Sequence, residues 1–325
     1  MLDSINDLVD NFTRGNVRAL ARLISKIENE DDEKDEILKR TYGMTGKAFV
    51  LGITGSPGAG KSSLVDRITT FLRKKGETVG IIAVDPTSPF TGGALLGDRI
   101  RMQDHATDKG VYIRSMGTRG SLGGLARSTK EVVKVLDAFG YQWIIVETVG
   151  VGQAELDIMN VADTTMVVLT PGAGDSIQTI KAGIMEIADI FAVNKCDLKG
   201  ADRLVSEISQ MLDLSKDITD WRPPVVKVST LDDLGMGDIM EVLEKHRVYL
   251  KDSGNMEIYR DEMARRETLE IVDYRWQRIV NRQLNYHGHV RDILDKVTDK
   301  KTDPFSAADE ILGYILKNSG LVQEK

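Results

Sequence analysis

Apolar positions recur along this chain with two different spacings, and the spacing changes from one region to the next. In the first 47 residues, stretches such as INDLVDNF and VRALARLISKIE carry apolar residues three and four positions apart, which is typical of amphipathic helices. The charge run NEDDEKDE follows, and we interpret it as a solvated surface. Residues 1–47 are therefore predicted to form an N-terminal helical extension.

From residue 48 to about residue 250, short apolar runs alternate with helical patterns. This alternation predicts an α/β fold, with a mostly parallel sheet flanked by crossover helices. Several runs end in a polar or acidic residue, at the sheet edge where open α/β folds bind their ligands. The runs predicted to be strands are AFVLGIT, ETVGIIAVD, VYIRSM, YQWIIVET, TTMVVLT, IFAVNKC and PVVKVS.

The last part of the chain, residues 251–325, returns to helical spacing. MARRETLEIVDYRWQRIVNRQL and AADEILGYILKNSG are predicted to be helices, the second of them started by Asp303 as cap and Pro304 in the first turn. Both are too amphipathic to remain unpacked. We therefore expect this C-terminal helical arm to pack on the core or on a second copy of the chain.

Composition and charge limit the classes of partner. The formal net charge of −7 over 325 residues argues against a general nucleic-acid or membrane-surface binder. The N-terminal stretch lacks the basic start and apolar run of a signal peptide, and no segment has the apolar length of a membrane span. A single cysteine, Cys196, fits a reducing compartment. We therefore expect a cytoplasmic protein.

A glycine-rich segment separates the first predicted strand from the helical pattern SSLVDRITTFLRKKG. It satisfies the spacing G-x-x-x-x-G-K-[ST], in which backbone N–H groups surround phosphates. The lysine, Lys61, reaches the outer phosphates and the hydroxyl of Ser62 coordinates Mg²⁺. The sequence therefore predicts a P-loop NTPase, whose phosphate-binding residues are Gly55, Ser56, Pro57, Gly58, Ala59, Gly60, Lys61, Ser62 and Ser63.

Asn194, Lys195 and Asp197 follow a predicted strand with the spacing N-K-x-D. A carboxylate can accept hydrogen bonds from both N1–H and the exocyclic amine of guanine, whereas adenine offers an acceptor at the first position and lacks the second donor. Asp197 is therefore predicted to select GTP over ATP. We expect a second short loop to approach the base through backbone N–H groups, at Ser229, Thr230 and Leu231.

Acidic residues at strand ends are the candidate Mg²⁺ ligands. Glu147 ends the run beside the P-loop, and the N–H of Gly150 is placed to sense the γ-phosphate. Asp85 ends another run and could reach the metal or its waters, or cap the turn at Pro86. Asp98 lies in a loop that could respond to nucleotide, or it could pair with a neighbouring arginine.

The group that orients the attacking water is not determined by spacing. Gln153 and Glu155 lie close after Gly150, and the glycine-rich segments 118–126 and 171–183 could be nucleotide-sensitive or static. An arginine finger could come from another subunit, be absent, or come from this chain. We expect slow intrinsic hydrolysis. The candidate arginines are Arg99, Arg101, Arg114 and Arg119.

Taken together, these motifs resemble those of the methylmalonyl-CoA mutase-associated GTPases, the MeaB or ArgK family. The resemblance covers essentially the whole chain, includes GSPGAGKSS and IFAVNKCD, and is highly specific through ETVGVGQ and GALLGD. It implies a homodimeric G-protein chaperone that gates adenosylcobalamin delivery to methylmalonyl-CoA mutase and protects that enzyme from inactivation.

The resemblance also implies residue roles. Asp85, Asp98 and Glu147 would surround Mg²⁺, and Lys181 would take part in partner-stimulated hydrolysis, so that Lys61, Asp98, Glu147 and Lys181 form the expected catalytic set. The chain lacks the D-x-H-x-x-G pattern by which many cobalamin proteins supply a histidine to cobalt. GTP or GDP and Mg²⁺ are therefore the expected cofactors, and adenosylcobalamin is expected to be carried by the partner.

Two other functions stay open at this level. One is an ATP-dependent kinase or transport-associated ATPase, as the ArgK label suggests, and nucleotide selectivity at Asp197 would separate it from a GTPase. The other is a nucleotide-dependent chaperone of a different acyl-CoA mutase. The sequence does not distinguish this function from that of a methylmalonyl-CoA mutase chaperone, because the surfaces that select the partner carry no recognisable motif.

Overall fold

Seven parallel strands form one sheet in the described part of the chain. The computed structural model describes residues 4–85, 105, 107–117, 127–148, 154–172, 185–214, 220–286 and 288–318. The strands are β1 Phe49–Gly55, β2 Val79–Asp85, β3 Val111–Gly117, β4 Trp143–Glu147, β5 Thr164–Leu169, β6 Ile190–Val193 and β7 Val225–Lys227. Their order across the sheet is β3-β2-β4-β1-β5-β6-β7. All seven predicted strands are confirmed.

Helices precede the sheet, connect its strands and follow it. None of those in the described ranges combines the length and apolar character that crossing a membrane requires. Apart from a short 3₁₀ turn, they are α1 Ile5–Thr13, α2 Val17–Glu28, α3 Lys34–Tyr42, α4 Lys61–Lys74, α5 Arg127–Phe139, α6 Ala154–Asp157, α7 Met185–Ile187, α8 Ala201–Leu214, α9 Met236–Asp252, α10 Asn255–Tyr286, α11 Gly288–Thr298 and α12 Pro304–Asn318.

The two faces of the sheet are covered by different helices, because successive side chains of a strand point to opposite sides. In β1, Phe49, Leu51 and Ile53 lie in an apolar cluster with α4 and α9. Val50 instead belongs to a cluster with α1, α2 and α5 on the other face. Both faces of the sheet are therefore buried, which explains why the strands read as nearly continuous apolar runs.

The N-terminal helices share a core with the sheet. Phe12 of α1 and Leu23 of α2 are buried in the same cluster as Leu136 of α5. The chain then enters β1 through a segment whose backbone is fixed by Asp137: its Oδ1 accepts hydrogen bonds from the N–H groups of Lys47 (3.0 Å) and Ala48 (2.8 Å). The N-terminal helical extension is thus packed into the same core as the sheet.

A buried ion cluster joins α3 to α5. Lys34 is 6 % exposed, and its Nζ lies 2.9 Å from Oε2 of Glu131, which is 3 % exposed. The Nε of Arg127 lies 3.0 Å from the other oxygen of Glu131. The prediction of a solvated charge run over NEDDEKDE is therefore wrong at Lys34, because a carboxylate distant in sequence draws the ammonium inward.

The chain separates into two compact units, Met1–Glu257 and Ile258–Lys325. In the second unit, Val290 and Ile293 of α11 are fully buried, as is Ile315 of α12. Asp303 caps α12 as predicted, because its Oδ1 accepts hydrogen bonds from the N–H groups of Phe305 and Ser306, each at 2.9 Å. The boundaries at residues 48 and 250 remain predictions.

Candidate nucleotide site

Three predicted site elements lie at one edge of the sheet. Parallel pairing places Ile53 of β1 opposite Glu147 of β4, and Leu169 of β5 opposite Val193 of β6. The P-loop, Glu147 and Asn194 follow or end these strands, so they meet at the carboxyl edge. β7 pairs with β6 and brings the second predicted base loop to the same edge.

The P-loop is a tight turn between β1 and α4. Gly55 has φ 137° and Gly60 has φ 88°, both in the region that favours glycine. A Cβ on Gly55 would collide with the carbonyl oxygen of Val168, and a Cβ on Gly60 would collide with the side-chain amide of Asn194. Gly60 is also the N-cap of α4, so the positive end of the helix dipole faces the loop. The loop therefore has the geometry of an anion-binding site.

Lys61 is buried at the first position of α4 and turns back over the loop. Its Nζ donates hydrogen bonds to the carbonyl oxygens of Gly55 (2.6 Å) and Ser56 (3.1 Å). This places the ammonium inside the curve of the P-loop. A cation at this position can move from these neutral acceptors to a phosphate oxygen, which is the stronger acceptor because it is charged.

Ser62 and Glu147 are joined directly. The Ser62 Oγ donates a hydrogen bond to Oε1 of Glu147 at 2.6 Å, and both side chains are buried. Thr148, the next residue, donates from its hydroxyl to that of Thr54 at 2.9 Å. A hydroxyl and a carboxylate thus lie side by side at the base of the P-loop, and both offer the oxygen ligands that Mg²⁺ prefers.

Asn194 connects the P-loop to the second base loop. Its Nδ2 donates a hydrogen bond to the carbonyl oxygen of Ala59 at 2.8 Å, and its Oδ1 accepts one from the N–H of Thr230 at 3.3 Å. Asn194 is 1 % exposed, so both hydrogen bonds are shielded from water. The three predicted loops are therefore one connected unit.

Lys195 and Asp197 lie on the outer side of this unit. Lys195 adopts φ 57°, and its Nζ donates a hydrogen bond to the carbonyl oxygen of Gly58 at 2.8 Å. The Asp197 carboxylate is exposed and accepts no hydrogen bond from any residue that the structure describes. It is therefore available to a ligand.

The second base loop is closed by its own hydrogen bonds. The backbones of Ser229 and Leu234 exchange two hydrogen bonds of 3.1 Å, and Ser229 Oγ donates to Oδ2 of Asp232 at 2.7 Å. Arg67, which has no motif signal, also contacts this loop: its Nε donates to the carbonyl oxygen of Thr230 at 3.2 Å. Sequence reasoning missed Arg67, because residues 67 and 230 are brought together only by the fold.

Several predicted residues fall outside this description. Gly150, Asp98, Lys181 and Gln153 lie outside the described residues, as do three of the candidate arginines, and only the backbones of Asp85 and Glu155 are described. The fourth arginine, Arg114, bonds to Glu28 and to the Ser25 hydroxyl of α2. In this structure its guanidinium therefore belongs to the contact between β3 and α2.

The parallel sheet, with a glycine-rich phosphate loop between β1 and α4, defines the class as P-loop nucleoside triphosphatases. A solved structure described as a LAO/AO transport system kinase is similar over 97 % of this chain and 99 % of that chain, with a TM-score of 0.72 and 23 % sequence identity. A likeness at that identity concerns the fold alone. It supports the predicted architecture and leaves the nucleotide undetermined.

The sequence matches a known family. Residues 20–285 match the family described as Methylmalonyl Co-A mutase-associated GTPase MeaB. A protein named as a GTPase in Pyrococcus abyssi is 49 % identical over 323 residues, which are 98 % of this chain and 99 % of that protein. The Mus musculus protein named methylmalonic aciduria type A homolog, mitochondrial, is 31 % identical over 333 residues, covering 95 % of this chain and 79 % of that protein. This chain belongs to the MeaB family of methylmalonyl-CoA mutase-associated GTPases. It is a GTPase, as the sequence predicted.

Proposed function

We propose that this GTPase binds GTP with Mg²⁺ at the P-loop and uses hydrolysis to gate adenosylcobalamin delivery to methylmalonyl-CoA mutase, which it also protects from inactivation. The mutase partner is supported by the family description and by the name of the mouse relative. The nucleotide part rests on one observation above all. Asn194, which lies in the N-K-x-D loop, is hydrogen-bonded both to the P-loop and to the second base loop. One rigid unit can therefore hold the phosphates and the base.

In this proposal the triphosphate lies along Gly55–Ser63, and Lys61 exchanges its two carbonyl acceptors for the outer phosphate oxygens. Asp197 accepts from N1–H and the exocyclic amine of guanine, while the stem of Lys195 covers the purine face. The exposed, available carboxylate of Asp197 supports that assignment. Backbone N–H groups at Ser229, Thr230 and Leu231 complete the base site.

The residues present fit Mg²⁺. The Ser62 Oγ and the Glu147 Oε1 lie 2.6 Å apart, both side chains are buried, and both offer the oxygen atoms that Mg²⁺ prefers. In phosphate-binding sites Mg²⁺ takes further ligands from the phosphates and from water. When bound, Mg²⁺ neutralises charge on the transferred phosphate. We assign Ser62 and Glu147 to it, together with Asp85 and Asp98.

Three residues outside the described part of the chain complete the proposal. We assign Gly150 to the γ-phosphate, and Asp98 and Lys181 to catalysis with Lys61 and Glu147. Adenosylcobalamin remains with the mutase throughout. Hydrolysis then acts as a timer, because loops of the nucleotide site change between the GTP and GDP states and this change alters the surface that the mutase binds.

We propose that the active form is a homodimer and that α10 contributes to its interface. Ile258, Leu269 and Val272 are 59 %, 65 % and 56 % exposed, and their spacing places them on one face of the helix. An apolar stripe of this kind is stabilised when a second copy covers it. Sedimentation equilibrium should give a dimer for the wild type and monomer for Leu269→Glu. Gln277→Glu adds the same charge on another face of α10 and should remain dimeric, whereas a monomeric wild type contradicts the proposal.

The partner is tested by affinity capture from native lysate, with the protein loaded with GDP or with a non-hydrolysable GTP analogue. We expect methylmalonyl-CoA mutase to be recovered in amounts that differ between the two nucleotides. Recovery of a different acyl-CoA mutase alone would support the alternative chaperone function. Recovery of no cobalamin enzyme in either state counts against the proposal, and a phosphorylated acceptor together with equal ATP and GTP binding would favour a kinase.

A further inference from the structure

Arg67 links the P-loop helix to the second base loop. It lies in α4, six residues after Lys61, and its partly buried side chain reaches across to the backbone of Thr230. The Nε to carbonyl oxygen distance is 3.2 Å. A side chain on the helix that begins at the phosphates is thus bonded to the loop predicted to meet the base.

The bonded carbonyl belongs to the peptide group between Thr230 and Leu231. No cis peptide bond occurs in the described chain, so this peptide is trans and planar, and its carbonyl and N–H point in opposite directions. Fixing the Thr230 carbonyl toward Arg67 therefore fixes the Leu231 N–H away from α4. Within the described residues, that N–H donates to no other group.

The contact is not needed to close the loop. Ser229 already exchanges two backbone hydrogen bonds with Leu234 and bonds through its hydroxyl to Asp232. The side chain of Leu231 is 84 % exposed, so packing does not orient that residue. On the other side of Thr230, the N–H is held by Asn194. The Arg67 side chain therefore orients the other peptide group of Thr230, which joins Thr230 to Leu231.

We propose that Arg67 is a positioning residue for guanine recognition, which holds the Leu231 N–H ready to donate to the oxygen at position 6 of the base. The inference rests on the proposed base site at Asp197 and the second base loop. Adenine carries a donor amine at this position, so a fixed N–H there adds selectivity to that of Asp197. The hydrogen bond to Thr230 acts through backbone geometry, and Arg67 itself does not touch the base.

The test is isothermal titration calorimetry with three diphosphates that differ only in the base. GDP is the reference, inosine diphosphate lacks the exocyclic amine, and 6-thio-GDP replaces the position-6 oxygen with sulfur, a weak acceptor. Arg67→Met keeps an apolar stem and removes the donor. Because one neutral hydrogen bond is at stake, GDP and inosine diphosphate should each bind about fivefold to tenfold more weakly to this variant. Affinity for 6-thio-GDP should fall less, so the ratio of GDP to 6-thio-GDP affinity should drop.

Matched variants separate positioning from charge and stability. Arg67→Lys retains a donor and should recover part of the lost ratio. Arg73→Met removes a different guanidinium of α4, and that guanidinium bonds to Asp108 at 2.8 and 2.9 Å. This variant should be less stable but should keep the ratio of GDP to 6-thio-GDP affinity unchanged. All three ligands carry the same diphosphate, so the general effect of a lost positive charge cancels.

The outcomes are distinct. If Arg67→Met loses affinity equally for all three ligands, or for none of them, the assignment of Arg67 is wrong. In that case the proposed base site still holds as long as the wild type prefers GDP over ADP. A wild-type protein that binds ADP as tightly as GDP overturns both. A reduced ratio restored in part by Arg67→Lys supports the inference.

Discussion

The reactive groups of the P-loop are held by the protein's own oxygen atoms. Lys61 donates to two loop carbonyls, and Ser62 donates to the carboxylate of Glu147. These contacts hold the Lys61 ammonium and the Ser62 hydroxyl beside the loop. The side chains are therefore already positioned before a ligand arrives, which reduces the conformational entropy lost on binding.

Glu147→Ala separates metal-dependent chemistry from nucleotide binding. The substitution removes one oxygen ligand beside Ser62 and leaves the phosphate-binding backbone in place. We expect Mg²⁺-dependent GTP hydrolysis to fall by about 100-fold, which corresponds to roughly 3 kcal/mol of transition-state stabilisation. GDP affinity should change by less than about threefold, since phosphate binding rests on the loop N–H groups. Phosphate-release kinetics and calorimetry measure the two effects, and equal losses in both would indicate a folding defect instead.

At the scale of elements, a buried ion cluster fixes α3 of the helical extension to α5. Burial raises the pKa of Glu131 above its ordinary value, and the hydrogen bond from Lys34 opposes that shift. A buried charge of this kind is compatible with the folded state only while its oppositely charged partners remain, and removing one of them is destabilising. The contact is consequently more important for the position of α3 than an exposed pair would be.

Lys34→Met should therefore be strongly destabilising. Removing the ammonium leaves Glu131 buried with a single neighbouring cation, and we expect a loss of about 3 kcal/mol in the free energy of unfolding, measured by urea denaturation. Lys245→Met removes an exposed lysine paired with Glu241 at 2.6 Å and should leave the free energy of unfolding almost unchanged, because solvent screens exposed ion pairs. A Lys34→Met protein as stable as the control would show that the cluster does not hold α3 to α5.

A second buried polar group joins α9 to the sheet. His246 is 1 % exposed, and its Nδ1 lies 2.7 Å from the Thr164 hydroxyl, while its Nε2 lies 3.6 Å from Oδ1 of Asp189. Burial lowers the pKa of His246 to about 4, and burial raises the pKa of Asp189 to about 7. The aromatic rings of Trp221 and Tyr249 also pack on His246.

These two shifts act on stability with opposite signs. The lowered pKa of His246 gives stability that is present above pH 6.5 and is lost as pH falls toward 4. The raised pKa of Asp189 gives stability that is present below pH 3.8 and is lost as pH rises toward 7. Between pH 4 and 6.5 the pair carries one proton in both states, on Asp189 when folded and on His246 when unfolded. Its net contribution should therefore be nearly constant in this window.

Asp189→Asn should expose the titration of His246. In that variant, stability relative to wild type should fall by about 3 kcal/mol as the pH decreases from 6.5 to 4, because only the unfolded state then takes up a proton. Chemical denaturation at several pH values measures this. The double variant Asp189→Asn/His246→Phe should restore a flat difference, and a flat difference in the single variant would contradict the argument.

At the scale of the whole molecule, local patterns predicted more than long-range contacts. The seven strands, the P-loop and the cap at Asp303 were predictable because each depends on residues close together in sequence. The contact of Arg67 with Thr230 and that of Lys34 with Glu131 were not, since each joins elements far apart in the chain. A charged residue in such a contact has the same local pattern as one in solvent.

The same distinction holds for function. The family and the GTPase activity follow from the sequence as a whole, whereas the chemistry of the base site depends on how three loops converge. Asn194 has a local motif, but its two hydrogen bonds are formed only when β6, the P-loop and the second base loop share one sheet edge. We propose above all that Asp197, at that edge, recognises guanine.

Calorimetry with GDP, ADP and xanthosine diphosphate tests that claim directly, on the wild type, on Asp197→Asn and on Asp233→Asn, which makes the same charge change in the neighbouring loop. Xanthine has a carbonyl where guanine has the exocyclic amine, so an asparagine amide should donate to it. The wild type and Asp233→Asn should prefer GDP over both other ligands by about 100-fold or more, and Asp197→Asn should prefer xanthosine diphosphate. Equal binding of GDP and ADP by the wild type, or an unchanged preference for GDP in Asp197→Asn, would contradict the account.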